Sequence, residues 1–294
     1  MNKILFFMKS TPLHHQREIL REFSESVGGQ MTNSADYKKC DIAVIFGSWK
    51  KTPKKKWKLM LAHHFLKNDI IDKHDGKLIV IETPLLGRTI TDIHEQYRVG
   101  LDHYMRGLAD FKNKNSNSDR FKKLNLKIKP WRKWTQDGHI LIVGQNLYDA
   151  SLFGIDFTMW VYNTLKHLMK HTNRKIIVRD HPENKEQLKE FIKISFRNYD
   201  QVEYSYNDTI EKDLKNAHCT VSYTSGSSID SILAGVPVIT CSEYNFLWPI
   251  STHTLEDVEN PRTGDSEQLL YDLAYTQWTV EEICNGKAWE HLIK

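Results

Sequence analysis

The stretch SYTSGSSIDSILAGVPVI, residues 222–239, decides the fold of the second half of this chain. It reads as the end of a strand, a Gly/Ser turn, a helix, and a new strand that begins after Gly235 and Pro237. A strand, turn, helix and strand in this order form the repeating unit of a parallel sheet that is covered by helices. The stretch therefore predicts a doubly wound α/β domain.

The Gly/Ser turn of this stretch also predicts an anion site. Backbone N–H groups are free at the start of a helix, and the helix dipole favours a negative charge there. The residues that we expect to bind a phosphate are Thr224, Ser225, Gly226, Ser227 and Ser228. The alternative is that Ser227 or Ser228 caps the helix with its hydroxyl and binds no ligand.

Short apolar runs alternate with segments of helical period along the rest of the chain. Predicted strands in the second half are 139–143, 175–178, 202–204, 219–223 and 238–240, and predicted helices are 157–171, 185–194, 209–216 and 227–234. Predicted strands in the first half are 4–8, 42–46 and 78–81, and predicted helices are 16–26 and 56–71. This alternation predicts two doubly wound, Rossmann-like domains.

A polar, Lys-rich segment at 110–134 reads as a surface linker, so we place the domain boundary at its end. The predicted domains are 1–135 and 136–294. The tail from Ser266 has helical period, and its apolar side chains suggest that it docks back on the first domain. Those side chains are Trp278, Ile283, Trp289 and Leu292.

The two predicted domains differ in charge. Residues 1–135 hold 27 basic and 14 acidic side chains, a net charge of +13, while residues 136–294 hold 14 basic and 23 acidic ones, a net charge of −9. A basic domain favours a polyanionic partner. The alternative is a solvated basic face that only aids solubility.

Composition excludes several classes of protein. With 40% hydrophobic and 27% charged residues the chain is an ordinary globular protein rather than a disordered one. Four scattered cysteines form no CxxC pair, so we expect reduced thiols. No apolar run approaches the length of a membrane span, and the first residues do not resemble a signal peptide, which predicts a cytoplasmic protein.

Two more strand ends carry polar residues in the second half. In IIVRDHPEN, residues 176–184, Arg179 and His181 follow a predicted strand and could neutralise a diphosphate, although a lone His before a Pro is more often structural. In HILIVGQNLYDAS, residues 139–151, Gly144 allows close approach of a ligand and Gln145 can contact it. Walker and GxGxxG motifs are absent, which argues against an NTPase or an ordinary NAD enzyme.

The order GQ…DAS, RDHP and SYTSGSSIDSILAGVPVI resembles the C-terminal half of GT-B glycosyltransferases of capsule and surface-polysaccharide synthesis, including Kdo- and sialyltransferase-like groups. The resemblance implies that His181 and Ser227-Ser228 contact the phosphate and nucleotide of a nucleotide-sugar donor. It also implies an acceptor site in the N-terminal domain and metal-independent transfer. The stretches ETPLLGR, YRVGLDHY and WTVEEICNGKAWEHL look like small phage-encoded proteins of this type.

If the first domain binds the acceptor, its charge favours an anionic one. Cations alternate with tryptophans in KKTPKKKWK at 50–58 and KIKPWRKW at 127–134, a pattern suited to nucleic acid. The predicted acceptor-binding residues are Lys54, Lys55, Lys56, Trp57, Arg88 and Arg98. We favour a 5-hydroxymethylpyrimidine in phage-type DNA, and the alternative acceptor is an acidic or surface glycan.

Transfer requires a base for the acceptor hydroxyl. Glu82 is the first choice because it directly follows a predicted strand, and Asp149 and Asp92 are the alternatives. Glu82 could instead hydrogen-bond backbone N–H groups at the strand end. The adjacent pairs His14-His15 and His63-His64 lack a third ligand at useful spacing, so no metal site is predicted.

Two other functions compete with transfer. The chain could be a non-catalytic nucleic-acid-binding protein, which would not bind a nucleotide-sugar, or a nucleotide-sugar epimerase on the same scaffold, which would need no acceptor.

Overall fold

The computed structural model describes residues 2–49, 61–88, 93–133, 136–184 and 186–293. Its strands are β1 (Ile4–Phe7), β2 (Gln30–Thr32), β3 (Ile42–Phe46), β4 (Lys77–Glu82), β5 (Gln96–Leu101), β6 (His139–Val143), β7 (Ile176–Arg179), β8 (Val202–Tyr204), β9 (Ala217–Ser222), β10 (Val238–Thr240) and β11 (Gln277–Thr279). Its α-helices are α1 (His14–Ser26), α2 (Ala62–Lys73), α3 (Asp119–Lys123), α4 (Phe157–Leu168), α5 (Gln187–Ser195), α6 (Ile210–Leu214), α7 (Ser228–Leu233), α8 (Ser266–Ala274), α9 (Val280–Cys284) and α10 (Lys287–Ile293).

The chain forms two compact units. The first unit contains Met1–Leu124 and Tyr271–Lys294, and the second contains Asn125–Leu270. The boundary after Leu124 lies within the segment that the sequence indicated as a linker, but the last 24 residues belong to the first unit rather than the second. The predicted ranges 1–135 and 136–294 are therefore corrected at both ends.

The second unit is built on a five-stranded parallel sheet with the order β10-β9-β6-β7-β8. This is the strand order of a Rossmann-type unit, in which the chain first builds β6, β7 and β8 outward and then crosses back to add β9 and β10 on the other side of β6. The order reverses between β6 and β9. In open α/β sheets, ligands bind beyond the carboxyl ends of the strands at this reversal point.

Both faces of this sheet are buried, and the alternation along β6 shows why. Ile140 and Ile142 pack in the larger core together with α4 and α5. Leu141 and Val143 point to the other face, where they pack with Leu214 and other apolar residues. A strand that is buried on both faces needs a continuous apolar run, which explains the sequence HILIV.

The first unit contains a six-stranded sheet with the order β11-β5-β4-β3-β1-β2. Strands β1 to β4 are parallel, whereas β5 and β11 run antiparallel to their neighbours. Strand β11 comes from the C-terminal segment, and Trp278, Ile283 and Leu292 of that segment lie in the core of the first unit. The predicted return of the C-terminal segment to the first unit is confirmed, and its pairing with β5 is the reason for the corrected boundary.

The corrected boundary reduces the charge difference. The first unit carries 25 basic and 18 acidic side chains, a net charge of +7, and the second carries 16 basic and 19 acidic ones, a net charge of −3. The first unit remains the basic one. The difference shrinks because four basic residues after Leu124 belong to the second unit and the C-terminal segment is acidic.

The KIKPWRKW segment proves to be part of the second unit. The indole Nε1 of Trp131 donates to Gly264 O at 2.9 Å, and Arg132 Nη1 donates to the carbonyls of Leu214 and Ala217 at 2.9 and 2.7 Å. These two side chains anchor the segment on the unit's own backbone. The sequence-based expectation that they face a polyanion is therefore wrong.

Two further expectations concern the thiols and the membrane. All four cysteines are free thiols. Within the described ranges, no helix has both the length and the apolar character needed to cross a membrane.

Candidate functional site

The candidate site of the second unit lies at the carboxyl ends of β6, β7 and β9. Gly144 follows β6 directly, and its N–H donates to Arg179 O at 2.8 Å. A Cβ atom on Gly144 would stand 2.3 Å from that same carbonyl oxygen and 2.9 Å from His181 N. Only glycine lets the ends of β6 and β7 approach this closely.

Gln145 connects the two sides of the reversal point. Its side chain is 3% exposed; Nε2 donates to Ser151 Oγ at 2.7 Å and to Thr224 Oγ1 at 2.8 Å. Its Oε1 accepts from the backbone N–H of Thr224 at 3.2 Å. The loop after β6 and the turn after β9 are therefore held in one buried hydrogen-bond network. A satisfied network of this kind holds the turn rigidly in place.

Asp149, predicted as an alternative base, supports the same network. Its Oδ1 accepts from Ser151 N and from Ser151 Oγ, both at 2.7 Å. The side chain is exposed and caps the short helical turn Ala150–Leu152. The structure thus shows a capping contact for this carboxylate.

His181 stands on a loop that Asp180 and Asn184 fix. The carboxylate of Asp180 accepts from His181 N at 2.8 Å and from Asn184 Nδ2 at 2.7 Å. Asn184 also donates to Gln145 O at 2.9 Å, which joins this loop to the end of β6. Glu183 N donates to His181 Nδ1 at 3.2 Å, so a neutral imidazole carries its proton on Nε2.

The turn after β9 holds its serines in different roles. Ser225 Oγ donates to Gly144 O at 3.2 Å and Ser228 Oγ donates to Ser225 O at 2.7 Å, so both hydroxyls fix the turn. Ser227 is the N-cap residue of α7 but makes no capping hydrogen bond with its side chain. Within the described ranges, the N–H groups of Gly226 and Ser227 donate to no protein acceptor.

Arg179 forms an ion pair with a buried carboxylate. Its Nη1 lies 2.6 Å from Oδ2 of Asp213, and the two side chains are 16% and 1% exposed. The same nitrogen donates to the carbonyls of Asn207 and Thr209. The guanidinium neutralises a buried carboxylate and fixes the loop before α6. Its role in donor binding stays a prediction beside this structural role.

The same edge carries an aromatic pair that sequence analysis missed. The ring centroids of Phe153 and Tyr244 lie 4.7 Å apart, and Phe153 is 43% exposed with a left-handed backbone, φ 51°. Behind them Tyr223 contacts Trp160, and burial raises the pKa of the Tyr223 hydroxyl. The only sequence signal was an aromatic residue a few positions after a strand end, which is too common to stand out.

In the first unit, Glu82 ends β4. Its Oε2 accepts from Ser48 N at 2.6 Å and its Oε1 accepts from Thr83 N at 2.8 Å. Both oxygens thus bind backbone N–H groups, as in the alternative interpretation of this residue. The contact with Ser48 ties the loop after β3 to the end of β4.

Two cationic side chains are buried in the first unit. Arg98 lies directly opposite Glu82 in the β4–β5 pair and is 5% exposed, and Lys67 is 4% exposed. Burial, followed by the charge of Arg98, lowers the pKa of His103 to about 4. Burial, followed by Lys67, lowers the pKa of His63 to about 4. These imidazoles are neutral at neutral pH.

The remaining predicted residues fall into two groups. Arg88 is exposed and free to meet a large acceptor, whereas Arg98 is too deeply buried for contact with a macromolecular surface. The residues that lie outside the described ranges are Lys54, Lys55, Lys56, Trp57 and Asp92.

No family model and no curated protein matches this chain. Two solved structures share its fold. The beta Kdo 2,7 transferase of KpsC from Thermosulfurimonas dismutans is 12% identical with a TM-score of 0.50, and the alignment covers 99% of this chain and 98% of that one. The beta Kdo 2,4 transferase of KpsC from the same organism is 9% identical with a TM-score of 0.51, covering 92% and 89%.

At this identity the likeness concerns the fold. The matched structures are GT-B glycosyltransferases, and the two parallel-sheet units described above are the two Rossmann-like units of that architecture. The predicted GT-B-like fold is therefore confirmed.

Proposed function

We propose that this protein is a glycosyltransferase that takes its sugar from a nucleotide-sugar held at the carboxyl edge of the second unit. The observation that carries the proposal is the turn after β9. It lies at the reversal point of a Rossmann-type sheet and presents the N–H groups of Gly226 and Ser227, which have no acceptor among the residues that the structure describes. Paired backbone donors at such a point suit the phosphates of a nucleotide.

Each part of the donor has a matching group in this proposal. The two N–H groups and the Ser227 hydroxyl bind phosphate, and the imidazole of His181 stands at the neighbouring strand end. Preorganised donors at that place stabilise the charge that develops on the departing phosphate. The exposed Phe153 and the partly buried Tyr244 offer a face on which the nucleobase stacks.

The identity of the catalytic base remains a prediction. Glu82 is still the first candidate because it ends β4 directly opposite the buried Arg98 of β5, with Asp149 and Asp92 as alternatives. The proposed transfer needs only a carboxylate that accepts the proton of the acceptor hydroxyl as the sugar is transferred, and it requires no metal.

The finer proposal concerns the acceptor. The net charge of +7 on the first unit supports an anionic acceptor, and our preferred one is a 5-hydroxymethylpyrimidine of phage-type DNA. A DNA acceptor would bind mainly through its phosphates, and its affinity would fall steeply with salt. The second candidate is a surface glycan, and the names of the two matched structures, both Kdo transferases, support it.

A transfer assay read by mass spectrometry tests the proposal. Purified protein is incubated with a panel of nucleotide-sugars and, in parallel, with hydroxymethylated DNA, unmodified DNA and an acidic oligosaccharide. A sugar-sized mass gain on one acceptor establishes the activity and names the acceptor class. Turnover of the nucleotide-sugar to an isomer without any acceptor would instead establish an epimerase, and no binding of any nucleotide-sugar would refute the proposal.

A further inference from the structure

Three side chains with metal-binding atoms meet at the surface of the second unit. They are His167 on α4, His171 just after it, and Glu256 on the short helical turn Glu256–Glu259. The Nε2 of His167 lies 2.7 Å from Oε1 of Glu256, and one ligand atom from each of the three lies within 4.8 Å of the others. None of these residues takes part in the candidate site described above.

The two imidazoles are brought together by helical spacing. Residues four apart lie on the same side of a helix, and the chain stays helical enough here for His171 N to donate to Leu168 O at 2.9 Å. The two rings are stacked with their centroids 4.8 Å apart and an interplanar angle of 18°. One nitrogen atom of each ring lies within 4.8 Å of the other and of a Glu256 carboxylate oxygen.

The carboxylate is held in place by a separate segment. Val258 of the Glu256–Glu259 turn is fully buried, and its carbonyl accepts from His218 Nε2 at 3.1 Å. Arg174 binds Glu259 at the end of the same turn with two contacts of 3.0 and 3.1 Å. Glu256 thus projects toward the imidazoles from a turn whose backbone is anchored independently of them.

We propose that His167, His171 and Glu256 form a binding site for a late first-row divalent cation, with Zn²⁺ as the preferred ion. Two imidazoles and one carboxylate are a donor set that suits Zn²⁺, and a solvent molecule completes four ligands because the site is exposed. Bonds of about 2.1 Å in a tetrahedron place ligand atoms about 3.4 Å apart, so small side-chain rotations bring the three atoms into place.

The position of the site indicates what the cation does. Helix α4 carries the chain from the carboxyl end of β6 back toward the start of β7, so its last residues lie at the amino edge of the sheet. The proposed nucleotide site lies at the opposite edge of the same sheet. A bound cation would therefore join the end of α4 to the Glu256–Glu259 turn and stabilise the second unit, without contacting the sugar donor.

The test uses the full, tag-free chain after treatment with a chelator. Titration with Zn²⁺ alone, followed by calorimetry, should show one ion per chain, and Co²⁺ should give the visible spectrum of a tetrahedral nitrogen and oxygen site. Saturation with Zn²⁺ should raise the midpoint of thermal unfolding by roughly 5 °C.

The variants His171→Gln and Glu256→Gln should each weaken Zn²⁺ binding at least about tenfold and abolish the thermal shift. The matched control His14→Gln removes an exposed imidazole from α1 of the first unit and should leave binding unchanged. Equal binding by all variants would place the ion elsewhere and overturn the proposal, as would the absence of stoichiometric binding to the parent chain. Thermal unfolding without metal shows whether each variant is folded.

Discussion

Replacing Ser227 with proline would remove one N–H group from the turn after β9 and leave the protein's own hydrogen bonds intact. The backbone of Ser227 has φ −66° and ψ −11°, and its N–H donates to no acceptor among the described residues. Proline fixes φ near this value, and Gly226 lacks the Cβ that would clash with the proline ring, which leaves only the contact between that ring and the Gly226 N–H. The Ser227→Pro variant should therefore fold, with a free energy of unfolding within about 1 kcal/mol of the parent's.

Its effect on binding follows from one lost hydrogen bond to phosphate. A hydrogen bond to a charged group contributes about 1.5–3 kcal/mol, which corresponds to an increase of about 10- to 150-fold in the Kd of a nucleoside diphosphate. The matched control Ser227→Ala removes only the hydroxyl and keeps the N–H. The ratio of the two Kd values therefore isolates the contribution of the backbone N–H group.

The assay is calorimetry with whichever of UDP, GDP, ADP, dTDP and CMP binds the parent chain. Equal Kd values for a folded Ser227→Pro variant and the Ser227→Ala variant would refute the reasoning, because the Ser227 amide would then not contact the phosphates. If a nucleotide bound the Ser227→Pro variant as tightly as the parent, the Ser227 hydroxyl would not contribute to binding either.

The remaining predictions concern the groups that support the two units. Gln145→Met should lower the free energy of unfolding by about 2–4 kcal/mol, measured in urea, because it leaves the buried N–H of Thr224 without an acceptor. The control Gln187→Met replaces an exposed side chain and should change the free energy of unfolding by less than about 0.5 kcal/mol. A similarly small loss for Gln145→Met would mean that the hydrogen-bond network is dispensable for stability. Asp213→Asn should cost about 3–5 kcal/mol, since Arg179 would lose its buried counter-ion, and an unchanged urea midpoint would show that this pair is not structural. His103 has a pKa of about 4 in the folded chain and about 6.5 in the unfolded chain, so protons bind the unfolded chain first and the free energy of unfolding should fall as the pH drops from about 6.5 to about 4. Urea unfolding at pH 7 and pH 5 should show a smaller pH dependence for His103→Gln than for the parent, and an identical dependence would contradict the assignment. Glu82→Gln should lower turnover about 100-fold if Glu82 is the base, and normal turnover of a folded variant would leave it only its contacts with Ser48 and Thr83.

Local sequence patterns predicted the second unit well because its strands are buried on both faces. Strands such as HILIV and IIVR stand out as apolar runs between helical segments, and their carboxyl ends pointed correctly to the edge that carries Gly144, His181 and Ser227. The first unit was harder to predict. Strand β5 reads QYRVGL and β11 reads QWT, so neither shows an apolar run, and they pair with each other across about 180 residues of sequence.

The roles of charged residues were the least predictable feature. Arg179 follows a strand at the right edge, but its carboxylate partner, Asp213, lies 34 residues later, and nothing local indicates that the two meet. Arg132 looked like a cation for a polyanion, yet it binds carbonyls more than 80 residues away. A charged side chain takes its partner from the tertiary fold, so its sequence position gives the edge of the sheet but not the contact.

The most direct test of the central claim is an amide NMR titration of the protein with ¹⁵N-labelled glycine and serine. If a nucleotide-sugar binds as proposed, the N–H signals of Gly226 and Ser227 should move downfield in a saturable manner, since each gains a phosphate acceptor, and the signals of the first unit's glycines should move less. Saturable binding of the nucleotide-sugar that leaves the Gly226 and Ser227 signals in place would contradict the account.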